Sequence, residues 1–387
     1  MNNEEPDETY KMLRETAREF SRKHLHPLSD RIDEEDYFPV DLFKSLGKMG
    51  FLGITIPEEY GGSGLDYRAQ SIVQEELGYS SAGFALSYGA HSNLVTDSIY
   101  RNGSEYIRKT CLPKLCSGEW IGSLCLTEPG SGSDALAMKT NAVKSGEYYL
   151  LNGSKTLITN APYADLMLVY ARTGDDYTAF VVLKTDAGVS KGKKFSKMGM
   201  RGSPTGEIFF ENVKLGEDRI LGKFGKGKEI ILSGLNSERI ILSFIFVGLL
   251  KRAIELSLKY ANERKQFGQN LGEFEMIQEK IAYMYTKFRT SKLLCDYALE
   301  SLKSSNMNAI DAAAAILYTA ESAEYAAREA IQIHGGYGYI RGSEVERLLR
   351  DAILGQIGAG TTEIRKKLVA SGVLKYYKKN ERLPDED

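Results

Sequence analysis

The spacing of apolar residues divides this chain into three parts. From about Glu8 to Cys116, apolar residues recur every three or four positions, which predicts α-helices. From Trp120 to Val213, short runs of β-branched and aromatic residues alternate with turn-forming residues, which predicts antiparallel strands. Helical spacing returns after the glycine-rich stretch 222–227 and continues to about Tyr377. The predicted order is therefore helices, a β module and a helical bundle.

This order leads to an expected fold of the α+β class with three domains. We expect an N-terminal α-helical domain over residues 1–118 and a middle, barrel-like antiparallel β domain over 119–225. Residues 226–387 are then expected to form a C-terminal helical bundle. A chain of 387 residues is long enough for two or three such units, each with its own core.

Composition narrows the possible functions. Lys and Arg total 50 against 52 Asp and Glu, and no long basic run occurs, which argues against a nucleic-acid partner. No apolar run reaches the roughly 18 residues that would cross a bilayer, and the first ten residues are acidic. We therefore expect a cytoplasmic protein without membrane insertion or a targeting segment. The four cysteines show no paired spacing and only four histidines occur, which argues against a metal site or a disulfide framework.

Several strings contain residues suited to binding phosphate groups or a heterocycle. Residues 124–134 read LCLTEPGSGSD, in which glycines let backbone N–H groups approach an anion and hydroxyls can donate to it. The strings 157–160 (LITN), 262–268 (NERKQFG), 332–339 (QIHGGYGY) and 357–363 (IGAGTTE) are further candidates. Each alone has a simpler explanation, such as a Gly/Ser turn, a cation at a helix C-terminus or a glycine C-cap.

Together these strings resemble segments of the acyl-CoA dehydrogenases across nearly the whole chain. Members of that family are flavoenzymes that remove a proton and a hydride from adjacent carbons of an acyl-CoA thioester. The resemblance implies FAD as cofactor, an acyl-CoA substrate, an electron-transfer flavoprotein as acceptor and a homotetramer built from dimers. It also implies the family's fold of helical domain, β domain and four-helix bundle.

The resemblance assigns FAD contacts to these strings. Thr127 is expected to bond the isoalloxazine, Thr159 to lie near flavin N5, and Arg264 to reach the FAD pyrophosphate of a neighbouring subunit. The full set of expected cofactor contacts is Leu124, Cys125, Leu126, Thr127, Gly132, Ser133, Leu157, Ile158, Thr159, Arg264, Gln332, Ile333, His334, Gly335, Gly336, Thr361, Thr362 and Glu363.

The catalytic base is expected at Glu238. Most members of the family carry a glutamate where this chain has Ala359, but the segment around Glu238 resembles the isovaleryl-CoA dehydrogenase branch, which has its base there. The residues one helical turn from Glu238 on either side are Gly234, Leu235, Ile241 and Leu242, so no basic neighbour shares its face. An apolar surrounding of this kind raises a carboxyl pKa, as a base for an α-proton requires. The resemblance implies hydride transfer from the β-carbon to flavin N5.

The same resemblance outlines a substrate site. Its expected members are Ser133, Ser190, Asn236, Ser237, Arg239, Ala359 and Gly360. The backbone N–H of Ala359 would bond the thioester carbonyl and stabilise the developing enolate. The space beside Gly358 and Ala359 favours a short branched acyl group such as isovaleryl, with a straight medium or long chain as the alternative.

Departures from the family pattern keep other possibilities open. Leu157 replaces an aromatic residue near the expected acceptor surface, Glu229 replaces an aromatic pocket residue, and Glu275 replaces a glutamine. The rival functions are an acyl-CoA oxidase that uses oxygen directly and a flavin-binding partner protein that has lost catalysis. Glu238 argues against the second rival, because it supplies the carboxylate that Ala359 lacks.

Overall fold

The computed structural model describes residues 8–302 and 309–384. The outermost residues of the expected terminal domains, 1–7 and 385–387, lie outside the described residues, as does the segment 303–308. Within the described part, the predicted order of helices, β module and helices is confirmed. The domain boundaries themselves stay predictions.

The N-terminal part packs helices against the start of the C-terminal part. Its helices are α1 Glu8–Phe20, α2 Ser29–Glu35, α3 Val40–Lys48, α4 Tyr67–Ser80, α5 Ala82–Gly89, α6 Ser98–Asn102 and α7 Glu105–Cys116, with a π-helical segment at Ala90–Asp97. Several begin at a side-chain cap: Asp66 accepts from the N–H of Ala69 at 3.0 Å, which satisfies a free donor of the first turn of α4. Nearly all of α4 is buried, because it lies against both α1 and the long helix α8 defined below.

The middle part forms one twisted sheet. Its strands are β1 Gly122–Cys125, β2 Asn141–Ser145, β3 Tyr148–Thr159, β4 Leu166–Thr173, β5 Asp176–Leu183, β6 Val189–Lys191, β7 Thr205–Leu215 and β8 Ile220–Leu221. The order is β6-β7-β3-β2-β4-β5-β8, and most pairings are antiparallel as predicted. The sheet is nevertheless mixed, since β1 runs parallel to β4 and β2 makes a parallel bridge to the same strand. The sequence pattern gave no sign of these parallel contacts.

The C-terminal part is a helical bundle. Its helices are α8 Gly227–Glu263, α9 Glu275–Glu300, α10 Ala309–His334, α11 Gly336–Tyr339, α12 Glu344–Ile353 and α13 Thr362–Asn380, and a short hairpin of β9 Lys265–Gln266 and β10 Gln269–Asn270 follows α8. Helix α10 packs against α8, α9 and α13, which makes these the helices of the expected bundle. Among the described residues, no helix combines the length and apolar character needed to cross a membrane.

Continuous apolar cores join the three parts. The largest contains residues of α3, α4, α5, α8 and α10, so the N-terminal helices and the bundle share one interior. A second core lies between α7, the sheet and the start of α8. The first turns of α8 are therefore placed where all three parts meet, and Glu238 lies on that stretch.

Candidate active site

Glu238 lies beside a small cavity at this junction. The cavity has a volume of about 30 Å³, and Glu238 shares its lining with Thr159, the last residue of β3. Apolar atoms of Leu86, Ile241 and Leu242 form part of the wall. The structure therefore places the expected base and the residue expected near flavin N5 at the same cavity.

The surroundings of Glu238 favour a protonated carboxyl more strongly than water does. Burial raises the pKa of Glu238 from its ordinary value of 4.5 to about 7, and the positive charges of Arg239 and Arg365 offset part of that rise. Within the part of the chain that the structure describes, the Glu238 carboxyl makes no hydrogen bond or ion pair. A carboxyl with a near-neutral pKa and free oxygens has the properties of a general base at physiological pH.

Two buried guanidinium groups hold the turn that contains Ala359. Arg239 donates from Nε to the carbonyl of Ala359 at 3.2 Å and from Nη1 to Asn236 Oδ1 at 2.8 Å. Arg365 is fully buried and donates to the carbonyls of Gly355 and Gly358. Burial lowers the pKa of Arg365 to about 10. Among the described residues, both arginines donate to backbone carbonyls of this turn, Arg239 donates also to the Asn236 amide, and neither donates to a carboxylate.

The backbone at Ala359 is unusual. Its φ is 56°, a left-handed conformation that non-glycine residues rarely adopt, and Gly360 follows with φ 95°. Outside the undescribed segments, the N–H of Ala359 has no hydrogen-bond acceptor, while the carbonyl is fixed by Arg239. An ordered, free N–H at this turn is suited to binding a ligand oxygen.

Hydrogen bonds and an ion pair join the two segments expected to contact the flavin, the loop after β1 and strand β3. The N–H of Thr156 donates to the carbonyl of Thr127 at 2.9 Å, which joins the loop after β1 to strand β3. Beneath them, the fully buried Lys155 pairs with Glu128 at 2.8 Å and donates to the Leu126 carbonyl at 3.0 Å. The loop that contains Thr127 is thus anchored by a buried ion pair.

The residues present fit a cofactor at this loop. A Cβ added at Gly130 or Gly132 would meet no atom within 4 Å, so the glycines face open space. Ser133 is exposed beside them, and Leu157 is exposed at a β-bulge with φ 57°. The side chains of Cys125 and Ile158 instead point into the core of the sheet, so any cofactor contact at these two positions would come from the backbone.

A second set of expected cofactor residues lies far from Glu238. Arg264 follows the end of α8, and a helical rise of 1.5 Å per residue places it roughly 40 Å from Glu238. Its guanidinium lies 5.9 Å from the Tyr337 ring centre, next to the exposed Gly335 and Gly336. His334 stacks on Tyr260 at 4.3 Å. In this set Gln332 is exposed and Ile333 is buried in the core.

The remaining expected residues lie on three elements, α13, β6 and α8. Thr361 caps α13 by accepting from the N–H of Ile364 at 3.4 Å, and Thr362 beside it is buried while Glu363 is exposed. Ser190 is exposed on β6, and Ser237 is buried and accepts from Asn93, which lines the cavity. The two glutamates that depart from the family pattern lie on the protein surface. Glu229 is exposed and pairs with Lys226 at 3.1 Å, and Glu275 is exposed at the start of α9. Neither lines the cavity beside Glu238.

Sequence reasoning missed three residues at this site. Arg365 affects Glu238 and the Ala359 turn although it lies in the last helix. Gln74 and Asn93 line the cavity but come from the N-terminal part. The local sequence gave little signal for Gln74, because Glu75 and Glu76 follow it directly.

Comparisons with known proteins show which family the chain resembles along its length. The chain matches the models of the acyl-CoA dehydrogenase N-terminal domain over residues 7–119, the middle domain over 123–213 and the C-terminal domain over 225–374. It is 40% identical to a mitochondrial isovaleryl-CoA dehydrogenase of Solanum tuberosum over 95% of this chain and 91% of that protein. The corresponding enzyme of Pongo abelii is 42% identical, covering 94% and 88% of the two chains.

A solved structure extends the similarity to three dimensions. An acyl-CoA dehydrogenase from Bacillus anthracis, complexed with FAD, superimposes with a TM-score of 0.92 at 34% identity. The match covers 99% of this chain and 69% of that one.

Proposed function

Because this chain belongs to the acyl-CoA dehydrogenases, a family of FAD-dependent oxidoreductases, we propose that Glu238 removes the α-proton of an acyl-CoA thioester. The observation that carries this proposal is the shared cavity of Glu238 and Thr159. A second support is the pKa of Glu238, raised to about 7 by burial. A base with that pKa is largely ionised just above neutral pH and still strong enough to accept a proton.

The residues around Glu238 have distinct roles in this proposal. The free N–H of Ala359 binds the thioester carbonyl and stabilises the negative charge that develops as the α-proton leaves. Arg239 and Arg365 keep that N–H in place through the carbonyls of the same turn. The bound FAD would supply the acceptor for the hydride that leaves the β-carbon. Thr127, Thr159 and the glycines of the 127–133 loop would hold the FAD, with Ser133 between cofactor and substrate.

The acyl group is proposed to be short. Gly358 and Ala359 carry almost no side chain, which leaves room for a branch beside the thioester, and the relatives named above are isovaleryl-CoA dehydrogenases. A branched chain such as isovaleryl is the first candidate and a straight chain the second. We further propose that Asn236 and Ser190 border the CoA part and that an electron-transfer flavoprotein accepts the electrons.

The expected cofactor residues that lie far from Glu238 support assembly into a homotetramer. Arg264 and the Gln332–Gly336 turn lie too far from Glu238 to contact the same flavin ring within one chain, so we propose that they bind the cofactor of a neighbouring subunit. Leu157, exposed near the proposed flavin site, is part of the proposed surface for the electron acceptor.

The test is reduction of the bound flavin without oxygen. Purified holoenzyme is mixed with isovaleryl-CoA or with straight-chain acyl-CoA thioesters, and the loss of flavin absorbance is followed. Bleaching by isovaleryl-CoA is expected, while bleaching by straight chains alone would overturn the branched assignment. Glu238→Gln is expected to keep its FAD and lose bleaching, whereas Glu229→Gln, an exposed glutamate on the same helix, should bleach normally. Retained bleaching in Glu238→Gln would refute its role as base.

A further inference from the structure

Buried amide side chains lie beside the proposed acyl site. Gln74 of α4 and Asn93 of the π-helical segment both line the cavity next to Glu238. Gln74 is fully buried and Asn93 is 2% exposed. Amide groups are seldom placed in such a position without partners, because a buried polar atom without a hydrogen bond is unfavourable.

Hydrogen bonds determine which amide atoms are free. Gln74 donates from Nε2 to the carbonyl of Ala85 at 3.0 Å, which assigns its other atom as oxygen. Asn93 donates from Nδ2 to Ser237 Oγ at 3.0 Å and to Gln70 Oε1 at 3.4 Å. Gln74 Oε1 and Asn93 Oδ1 are both buried and without a hydrogen-bond donor among the described residues. Two acceptors at one cavity therefore lack a donor.

The two free amide oxygens can only accept hydrogen bonds, so they favour an acyl chain that carries a donor. A hydrocarbon chain would leave both oxygens without a donor, and a carboxylate brings only further acceptors. An ammonium group would be buried as a charge without a carboxylate to pair with at the amides. The group that fits is a neutral donor, such as a hydroxyl or an amide N–H.

We propose that the preferred substrate carries a neutral hydrogen-bond donor on its acyl chain, beyond the reacting carbons, and that Gln74 Oε1 accepts a hydrogen bond from it, with the Asn93 amide as a neighbouring polar group. This inference rests on the proposed function and refines its acyl group. Among short chains of equal size, one with a hydroxyl is preferred over one with a methyl group in the same place. Gln74 is thus a specificity-determining residue.

Matched thioesters test the preference. The pairs are 4-hydroxybutanoyl-CoA with pentanoyl-CoA and 5-hydroxypentanoyl-CoA with hexanoyl-CoA, in which a hydroxyl replaces a methyl group. Because a buried acceptor left without a donor costs on the order of tenfold in binding or more, the wild-type holoenzyme should favour the hydroxyl member of at least one pair by about tenfold in kcat/KM for flavin reduction. The ratio within one enzyme cancels differences in FAD content.

Variants identify the residue responsible. Gln74→Met keeps the side-chain length and removes the acceptor, so its ratio should fall to about one or reverse. Ser71→Ala is the control, because Ser71 is a buried polar residue of the same helix that donates to the Arg68 carbonyl and does not line the cavity, and it should keep the wild-type ratio.

The possible results distinguish a failure of this inference from a failure of the proposed dehydrogenase function. Equal reduction by both members of each pair in wild type, as expected if the amides bind only a water, would overturn the inference and leave the dehydrogenase proposal intact. An unchanged preference in Gln74→Met would also overturn it. Failure of every acyl-CoA to reduce the flavin would overturn both.

Discussion

Replacing Glu238 by glutamine is predicted to stabilise the folded protein while removing its activity. Burial raises the pKa of Glu238 from 4.5 to about 7. Each pKa unit corresponds to about 1.4 kcal/mol, so keeping the ionised carboxylate in the folded state costs ~3 kcal/mol of stability. Glutamine has nearly the same shape and no charge, and it avoids this cost. Loss of a general base should slow flavin reduction by roughly 10²- to 10⁴-fold.

The effect on stability has a defined pH dependence. The folded-state pKa lies above the unfolded one, so between pH 4.5 and about 7 the folded protein binds more protons than the unfolded chain. The wild type therefore loses stability as pH rises through this window, and the full cost is present above it. The advantage of Glu238→Gln should be near zero at pH 4.5 and largest at about pH 8.

Thermal unfolding of the holoenzyme measures this difference. With an unfolding entropy of about 2.1 cal/mol/K per residue, 387 residues give about 0.8 kcal/mol/K, so ~3 kcal/mol raises Tm by about 4 °C. Glu229→Gln is the control, because its exposed pair with Lys226 should change Tm by less than about 1 °C. A gain in Glu238→Gln that is absent at about pH 8, or equal at every pH, would refute the reasoning.

Three further predictions concern the same region. For wild type, kcat/KM for flavin reduction should rise with pH to half its maximum near pH 7, because Glu238 must be ionised to act; a profile that is flat from about pH 6 to 8 would contradict this. Lys155→Met removes the ion-pair partner of the buried Glu128, whose carboxylate still accepts from the N–H groups of Lys139 and Thr140, and should cost about 3 kcal/mol, seen as lower Tm and FAD retention; adding Glu128→Gln should recover part of the loss. Arg365→Lys cannot span both turn carbonyls and should slow flavin reduction at least about tenfold with normal FAD content; an unchanged rate would separate Arg365 from the reaction.

The sequence predicted the architecture because each part has its own periodicity. Runs with a period near 3.6 became α8 and α10, and short β-branched runs became β4 and β5. Glu238 was identified mainly from the resemblance of its segment to the isovaleryl-CoA dehydrogenase branch, with its apolar helix face as support, and the structure places it beside a cavity. Local patterns were sufficient where the relevant neighbours lie within one turn or one strand.

Local patterns failed where packing between distant helices decides burial. Gln74 precedes Glu75 and Glu76, and such a polar run is typical of a solvent-facing surface. Helix α4 is nevertheless enclosed, because Arg14 of α1 pairs with both glutamates at 3.1 Å and α8 covers the opposite side. Gln74 is thereby directed to the cavity, which only the tertiary arrangement reveals. Arg365 was missed for the same reason.

The two arginines connect the acid–base and electrostatic parts of the proposed reaction. Burial alone would raise the pKa of Glu238 further, and the charges of Arg239 and Arg365 reduce that rise to a value near neutrality. Neither guanidinium forms an ion pair with Glu238 in the described structure, since both donate to the turn that contains Ala359. The carboxylate therefore stays free to accept a proton, while the same positive charges lie close to where the enolate would form. With the proposed base on α8, Ala359 contributes its backbone N–H to the site and no carboxylate of its own.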